Sequence, residues 1–411
     1  MSLRLLFALA AAALCPLHSM AMPQTNDSNP VVQPAQADSL ELKADTTDTL
    51  PHRTHFYERG LVGKAYRYLR DANKMPPDQG KDFGIIPGPH YSSTTGLGLG
   101  ILGTLTYSTH RLDPTTPRSN ASVFTDMTTG GFFLIGMRGA HYTKRGKTRT
   151  DYKITVSTFK TKYWGIGFEE NKQDANETEY TRNRLYGLVR FMWQPARHLY
   201  VGPMVQYRWF QAKKRDTEML HLWHGQAAIV HALTAGISVT YDSRDFMLNA
   251  TRGCFFQLDQ TASPKALATE GFGFGTTETT FSTYKKVWKG GVLAWELHGL
   301  FNYGYVPWCM MAETGTTDRL RGYYEGHYRD QSLIETQLEL RQHLRGRNGL
   351  AAWIAFGHPF RRFDEMRWQH ILPNGGVGYR WEFKNRINIR LDAGITRDGN
   401  CGIVFNINEA F

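Results

Sequence analysis

Apolar and polar residues alternate along the last third of the chain. Between Ile387 and Ile395 every second residue is apolar or small, and the residues between include Asn388, Arg390 and Asp392. Successive side chains of a strand point to opposite faces, so this segment has one apolar face and one charged face. Segments of about ten residues with such alternation are typical of transmembrane β-barrel strands, which present one face to lipid and the other to a polar lumen.

The same pattern, interrupted by turn residues, continues from about Thr95 to the C-terminus and predicts sixteen strands. The predicted strands are Gly96–Tyr107, Ser122–Thr128, Phe132–Tyr142, Asp151–Lys160, Trp164–Phe168, Arg184–Trp193, Tyr200–Phe210, Ala232–Tyr241, Cys254–Gln260, Thr279–Trp288, Val292–Tyr303, Ser332–Arg341, Leu350–Phe356, Gly375–Phe383, Ile387–Ile395 and Ile403–Glu409. Bacterial barrels have an even number of strands. The fold class predicted is therefore all-β, a sixteen-stranded antiparallel transmembrane β-barrel over residues 83–411.

The N-terminal segments predict export. Arg4 precedes the apolar run 5–14, and small residues follow at the positions that a signal peptidase reads, so residues 1–21 are predicted to be a cleaved signal peptide. Residues 22–55 are rich in Pro, Asp, Thr and Ser and predict a flexible periplasmic linker. Residues 56–82 predict a short basic amphipathic helix and a lead-in, and the helix is expected to pack at the periplasmic end of the barrel, with a plug of the barrel or a helix on the membrane surface as the alternatives. The expected location is the bacterial outer membrane, as an integral protein.

Composition and charge narrow the expected partners. Apolar residues make up 41% of the chain, and no run of about 18 apolar residues is available for a transmembrane helix. The formal net charge is +11. Because the chain is predicted to be exported, we expect outer-membrane lipids or lipopolysaccharide as anionic partners and no nucleic acid. The same charges are also consistent with a hydrated lumen and loops.

The sequence gives little support for enzymatic chemistry. There are 15 histidines, and His298 is predicted to face the lumen, but no G-x-S-x-G motif and no spaced Ser, His and acid set accompanies them. We therefore predict no catalytic residues, no cofactor, no metal site and no enzyme.

Four motifs occur in order along the predicted barrel. They are Pro87–Tyr91 before the glycine-rich start of the first predicted strand, Tyr241–Asp245 followed by Thr251–Gly253, the tetrapeptide Leu320-Arg321-Gly322-Tyr323, and the closing segment Gly402–Phe411. Together they resemble the BamA/TamA-like outer-membrane assembly and transport barrels, the bacterial surface antigen family, over about residues 83–411.

The resemblance implies a role for the tetrapeptide. In the family this signature, here Leu320, Arg321, Gly322 and Tyr323, lies on an extracellular loop that folds back into the lumen, where its arginine contacts an acid on the thirteenth strand. The matching position here is Ala355, so that acid is missing. Because a buried unpaired guanidinium costs several kcal/mol, we expect other partners on the lumen face of the strand that follows the loop. The candidates are Glu339 and Glu335.

The resemblance also implies roles for two further sets of residues. Asp242, Arg244, Asp245 and Gly253 form the D-x-R-D pattern, with its following glycine, of a periplasmic turn. Gly402, Phe405, Ile407 and Phe411 belong to a closing strand that is read as an insertion signal.

The family also carries periplasmic POTRA domains that receive client proteins, and the segment before the barrel is too short for one. The chain thus resembles a barrel-only branch, in which we expect assistance to protein or lipid insertion or transport, with other outer-membrane or periplasmic subunits as partners. The few side chains of residues 96–103 favour a weakly paired seam. The alternatives are a passive pore with a basic lumen and a structural subunit of a larger outer-membrane complex.

Overall fold

A computed structural model describes residues 81–92, 95–109, 116–213, 219–384 and 386–411. The predicted signal peptide, linker and amphipathic helix lie outside these ranges. Among the described helices, none has the length and apolar character needed to cross a membrane.

Sixteen antiparallel strands close into one barrel, in which each strand pairs with its neighbours in the chain and the first strand pairs with the last. The strands of the barrel are β1 (Lys81–Ser92), β2 (Gly96–Tyr107), β3 (Ser119–Thr128), β4 (Phe133–Tyr142), β5 (Thr148–Tyr163), β6 (Thr178–Ala196), β7 (Leu199–Lys213), β8 (Ile229–Asp242), β9 (Gly253–Ser263), β10 (Phe274–Trp288), β11 (Gly291–Gly304), β14 (Ser332–His343), β15 (Asn348–Phe360), β16 (Leu372–Lys384), β17 (Ile387–Thr396) and β18 (Cys401–Ile407). The predicted fold class is confirmed.

The connection between β11 and β14, residues 305–331, is hereafter the central loop. It contains a two-stranded sheet of β12 (Ala312–Glu313) and β13 (Arg329–Asp330). Two helices of four residues, α1 (Phe168–Asn171) and α2 (Met219–Leu222), lie in other connections. Short 3-10 turns are Lys144–Gly146, Asp174–Asn176, Lys265–Leu267, Thr269–Gly271, Trp308–Met310, Phe363–Glu365 and Trp368–His370.

Alternation along each strand separates the two faces of the barrel wall. In β15 the apolar side chains of Leu350, Ile354 and Phe356 are exposed on the outside, whereas Trp353 and Ala355 are buried inside. An outer apolar surface and a polar interior suit a barrel that spans a lipid bilayer.

The structure has sixteen barrel strands, as predicted, because one strand that was not predicted compensates for one predicted strand that does not form. Lys81–Ser92, which contains Pro87 and Pro89, forms β1, although no strand is predicted before Gly96. Proline lacks an N–H group and is tolerated in a strand that is incompletely paired on one side, and β1 has few pairs with β18. Conversely, residues 164–168 are not a strand, because Trp164 is buried and stacks on His327 of the central loop at 4.2 Å between ring centroids.

The two ends of the barrel differ in the length of their connections. The central loop and the connection 164–177 lie at one end, and the turns 197–198, 289–290 and 344–347 lie at the other. Outer-membrane barrels have short turns on the periplasmic side and longer loops outside the cell. The C-terminus lies at the end with the short turns, which is thus the periplasmic end.

Candidate functional site

The central loop enters the lumen and is buried there. Val306, Trp308 and Tyr328 are among its buried residues, and Trp308 is completely covered. On the β6 side, Arg182 donates hydrogen bonds to both carboxylate oxygens of Glu313, at 3.0 and 3.1 Å, and to Glu325 at 3.0 Å. Arg182 thus fastens the loop to the wall by charge-assisted hydrogen bonds, which are stronger than neutral ones.

Arg321 is the most completely enclosed charge of the loop. Its Nη1 donates to Asp392 of β17 at 2.7 Å, and its Nη2 donates to Glu339 of β14 at 2.6 Å. Its guanidinium lies 3.7 Å from the ring centroid of Trp353, and the residue has no exposed surface. The structure thus brings Arg321 and Glu339 together, and it adds Asp392, which sequence reasoning missed.

Glu335, the other candidate partner, lies elsewhere in the lumen. Its Oε2 is 3.2 Å from Nδ1 of His298 on β11, and His298 is also 3.4 Å from Glu278. Alternation along β14 puts Glu335 on the lumen face, but it does not determine which lumen residues the loop reaches.

The position of the missing family acid is occupied by an apolar contact. Ala355 packs in a buried cluster with Leu320, Tyr323, Trp353 and others. Leu320 also covers Gly357, because a Cβ at that glycine would overlap the leucine Cδ1. β14 and β17 therefore supply the carboxylates for Arg321, while β15, one of the two strands between them, supplies an apolar surface and the indole of Trp353.

The ion pairs of Arg321 belong to a larger buried cluster. Its members are Arg321, Glu339, Arg341, Arg380, Arg390, Asp392 and Glu409. Glu339 also accepts from Arg341 at 2.7 Å, and Asp392 also accepts from Arg380 at 2.5 Å. Because each carboxylate is shared by several arginines, the carboxylates stay compensated despite complete burial. We call this set the ion-pair cluster.

Glycines let the backbone of the loop approach the wall. Gly322 has φ +115°, and a Cβ added there would lie 2.9 Å from the carbonyl oxygen of Gly394. A side chain at Gly394 would overlap the carbonyl oxygen of Arg321, and one at Gly402 would overlap Gly322. Gly376, Gly394 and Gly402 are paired in register across β16, β17 and β18. Gly394 and Gly402 thus leave room for residues 321–322, whereas Gly376 lies against Trp353 and Ala393, and this fit needs the register and not only the sequence.

The D-x-R-D residues build the turn between β8 and β9. Asp242 accepts from Arg244 through two side-chain hydrogen bonds, at 2.8 and 2.9 Å. Gly253 has φ +97°, and a side chain there would overlap the carbonyl oxygen of Ser243. The turn therefore requires glycine at this position.

Asp245 joins this turn to another one. Its carboxylate accepts from the backbone N–H and the hydroxyl of Thr251, at 2.9 and 2.7 Å, and from Arg386 of the β16–β17 turn at 2.8 Å. Burial opposes ionisation, but these hydrogen bonds outweigh it and hold the pKa of Asp245 below its ordinary value. The motif thus links two turns at the periplasmic end.

The C-terminal residues divide between the wall and the lumen. Phe405 lies on β18 opposite Tyr91, and Ile407 packs over Gly88. Phe411 follows the end of β18 and turns inwards, with its ring 5.1 Å from the guanidinium of Arg341. Its role as an insertion signal stays a prediction, and in the folded barrel it caps the ion-pair cluster.

The junction between β1 and β18 has the shortest strand pairing of the barrel wall. Only two residue pairs join them, Tyr91 with Phe405 and Ser92 with Val404. By contrast, β1 and β2 pair along the whole of β1 from Lys81 to Ser92. Within the described ranges, no group of three or more His, Cys, Asp or Glu residues is placed to hold a metal ion.

A closed sixteen-stranded barrel with an inward loop and a short first–last junction defines an outer-membrane β-barrel. The Omp85 superfamily domain matches residues 138–407, which is well over half of the 411 residues. The chain belongs to the Omp85 superfamily. Members of this superfamily are outer-membrane transporters or assembly factors rather than enzymes. The resemblance drawn from the four motifs is confirmed.

Solved structures share the fold at low sequence identity. BamA from Haemophilus ducreyi lacking POTRA domains 1-3 has a TM-score of 0.53 and 11% identity, over 80% of this chain and 70% of that one. CdiB from Acinetobacter baumannii gives 0.54 and 9%, over 80% and 60%, so this chain spans less than two thirds of that protein. CdiB from Escherichia coli gives 0.51 and 11%, over 83% and 68%. No curated protein matches the sequence significantly.

Proposed function

We propose that this outer-membrane barrel assists the insertion or transport of proteins or lipids by opening the junction between β1 and β18. The observation that carries the proposal is that this junction has two residue pairs, although both strands are longer than that. Backbone N–H and C=O groups that lack a partner on a strand edge can pair with an incoming strand.

The position of the central loop supports opening at this place. The loop is fastened to β6, β14 and β17 by the ion pairs of Arg182 and Arg321. A cavity of about 490 Å³ lies between the loop and the inner wall of β1–β4 and reaches residues of β18. The β1 edge can therefore separate from β18 without breaking the ion-pair cluster.

A disulfide across the junction tests the proposal. We replace Tyr91 and Phe405, which are directly opposed, by cysteine in a Cys401→Ser background, which removes the exposed thiol on β18. Facing residues of an antiparallel pair lie within the Cα separation that a disulfide spans. We expect the oxidised barrel to fold but to fail in sustaining normal levels of its clients, measured by outer-membrane proteomics and lipid analysis after depletion of the wild-type chain.

A second disulfide, between β17 and β18, controls for the effect of cross-linking itself. Leu391 faces Phe405 from the other side, on β17, so Leu391→Cys with Phe405→Cys locks a junction that we expect to stay closed. This variant should sustain normal client levels when it is oxidised. A reducing agent should restore the activity of the variant that carries Tyr91→Cys and Phe405→Cys. Normal outer-membrane composition with an oxidised β1–β18 lock would exclude the opening mechanism.

A passive anion pore is the second candidate, and basic residues on the lumen face of β4–β7 favour it. Arg138 and Lys153 lie opposite each other there and are exposed to the lumen. The buried central loop narrows the same lumen, which favours the first candidate. Conductance across a planar bilayer separates the two, since a pore gives steady, anion-selective current and a closed barrel does not.

A further inference from the structure

One side of the lumen carries a set of basic side chains that the proposed insertion activity does not use. They are Arg138 of β4, Lys153 of β5, Arg184 of β6 and Arg208 of β7, hereafter the cationic wall. Their neighbours along the strands, such as Ile154 and Val189, are exposed on the outer face. By alternation, the four basic side chains therefore point into the lumen.

The cationic wall places like charges next to each other. Arg138 and Lys153 are directly opposed in the β4–β5 register, and like charges in such a pair are destabilising. Among the described residues, none of the four has a carboxylate within ion-pair distance. Two nearby arginines differ in this respect, because Arg190 pairs with Asp259 and Arg182 pairs with Glu313 and Glu325.

Aromatic rings take the place of the missing acids. The charged groups of Arg138, Lys153 and Arg184 lie 5.5 to 5.6 Å from the ring centroids of Phe124, Tyr186 and Phe159, respectively. Arg208 donates to the amide oxygen of Gln206 at 2.8 Å. Such contacts orient the basic groups but form no ion pair, so no carboxylate of the described residues contacts these charges directly.

An apolar surface adjoins the cationic wall. The inner faces of β2–β4 contribute Leu102, Phe124 and Leu134 to the cavity of about 490 Å³ beside the central loop, which Arg138 borders and whose lining also holds carboxylates, among them Asp126. The same cavity reaches Tyr91 and Phe405 at the β1–β18 junction. Inner-facing apolar residues are unusual in a polar lumen. A ligand with an apolar part and an anionic group would match both surfaces.

We propose that the cationic wall binds the phosphate group of a membrane lipid, with part of the acyl region in the adjoining cavity. A phosphate offers several acceptor oxygens and suits the arginine fork, for which Arg138, Arg184 and Arg208 are available, with Lys153 as a point charge. The bound anion compensates the repulsion between Arg138 and Lys153. The site goes beyond the insertion activity, because it exists whether or not the β1–β18 junction opens.

Thermal unfolding of the purified full chain in a neutral detergent tests this site. The additions are inorganic pyrophosphate, short-chain phosphatidic acid and a neutral diacylglycerol of the same chain length, each at matched ionic strength. We expect phosphatidic acid to raise the Tm and diacylglycerol not to. A rise with pyrophosphate as well would identify the phosphate group as sufficient, and a rise with phosphatidic acid alone would show that the acyl part is required.

The variant Lys153→Gln distinguishes this site from general attraction to a basic protein. Without ligand its Tm should be raised by about 1–2 °C, because one repulsive charge is removed. Its affinity for phosphatidic acid should fall about tenfold, the size expected for one charge-assisted hydrogen bond. Lys160→Gln is the matched control, since Lys160 is exposed on the opposite face of the same strand, and it should bind as the wild type does.

Two results would overturn the proposal. One is that neither phosphate compound stabilises the wild type more than chloride does. The other is that Lys153→Gln binds phosphatidic acid as tightly as the wild type. Should Lys153→Gln fail to fold, Arg138→Gln provides the same test, and Lys153→Arg, which keeps the charge, should retain binding.

Discussion

The two sides of the lumen differ in the burial and pairing of their charged side chains. On the side of β14–β18, the ion-pair cluster is almost inaccessible to solvent, and each carboxylate pairs with more than one arginine. On the side of β4–β7, Lys153 and Arg138 are open to the lumen and have no acidic partner within the described residues. Burial therefore goes with pairing, as the cost of desolvation requires.

The charged side chains on the two sides therefore have different roles, one structural and the other open to ligand binding. A charge in the ion-pair cluster cannot change its partner without exposing another buried ion, so this side holds the central loop in place. On the cationic wall Arg138 and Lys153 are exposed to the lumen, so their charges are accessible to a ligand. We therefore expect mutations on the first side to affect stability and those on the second to affect binding.

The largest effect is expected from reversing the charge of Arg321. Arg321→Glu places a third carboxylate beside Glu339 and Asp392, and breaking a buried pair costs about 3–5 kcal/mol. The barrel should lose its resistance to heat in semi-native gel electrophoresis. Arg145→Glu, at an exposed position of the β4–β5 turn, is the control, and an unchanged melting of Arg321→Glu would remove the anchoring role.

A smaller effect is expected where the loop backbone meets the wall. Gly394→Ala introduces a Cβ into the space of the Arg321 carbonyl oxygen, and overpacking of this kind costs about 1–3 kcal/mol. We expect a lower Tm and faster proteolysis within the central loop. Gly187→Ala on β6, where an added Cβ meets nothing within 4 Å, should leave both unchanged. Equal behaviour of the two variants would contradict the close fit of residues 321–322.

The next effect is expected at the periplasmic turns, where the contribution of Asp245 to stability should depend on pH. The pKa of Asp245 in the folded chain is lowered from its ordinary 3.8, so its contribution is present above about pH 4 and is lost as the pH falls further. Asp245→Asn should cost about 1–2 kcal/mol at pH 7. The difference in Tm between the variant and the wild type should therefore be constant at higher pH and shrink as the pH falls below about 4. A difference independent of pH would show that the charge of Asp245 is not involved.

The smallest effect is expected on the open side of the lumen. Arg208 contacts Gln206 and no carboxylate among the described residues, so Arg208→Gln should change the free energy of unfolding by less than about 0.5 kcal/mol. Thermal unfolding without added phosphate measures it. A loss comparable to that of Arg321→Glu would contradict the difference between the two sides.

The strands show which structural features a local sequence pattern can predict. In β15 and β17 the alternation gives both the strand and the face of each residue, because the periodicity of a strand is a local property. In β1 the prolines conceal the strand, since only the place of β1 at the junction makes them tolerable. Residues 164–168 are predicted to form a strand but do not. Trp164 is buried against His327 of the central loop instead of lying in the sheet.

By itself, the sequence determined the barrel, the lumen side of Glu339 and Glu335, and the family motif around Arg321. Those properties follow from residue type and from a period of two along the chain. Only the tertiary structure decided that Glu339 and Asp392 hold Arg321, that Glu335 binds His298 instead, and that the paired glycines Gly394 and Gly402 receive the loop. These contacts join residues distant in the chain, and they depend on strand register and on the path of the central loop, which no local pattern encodes.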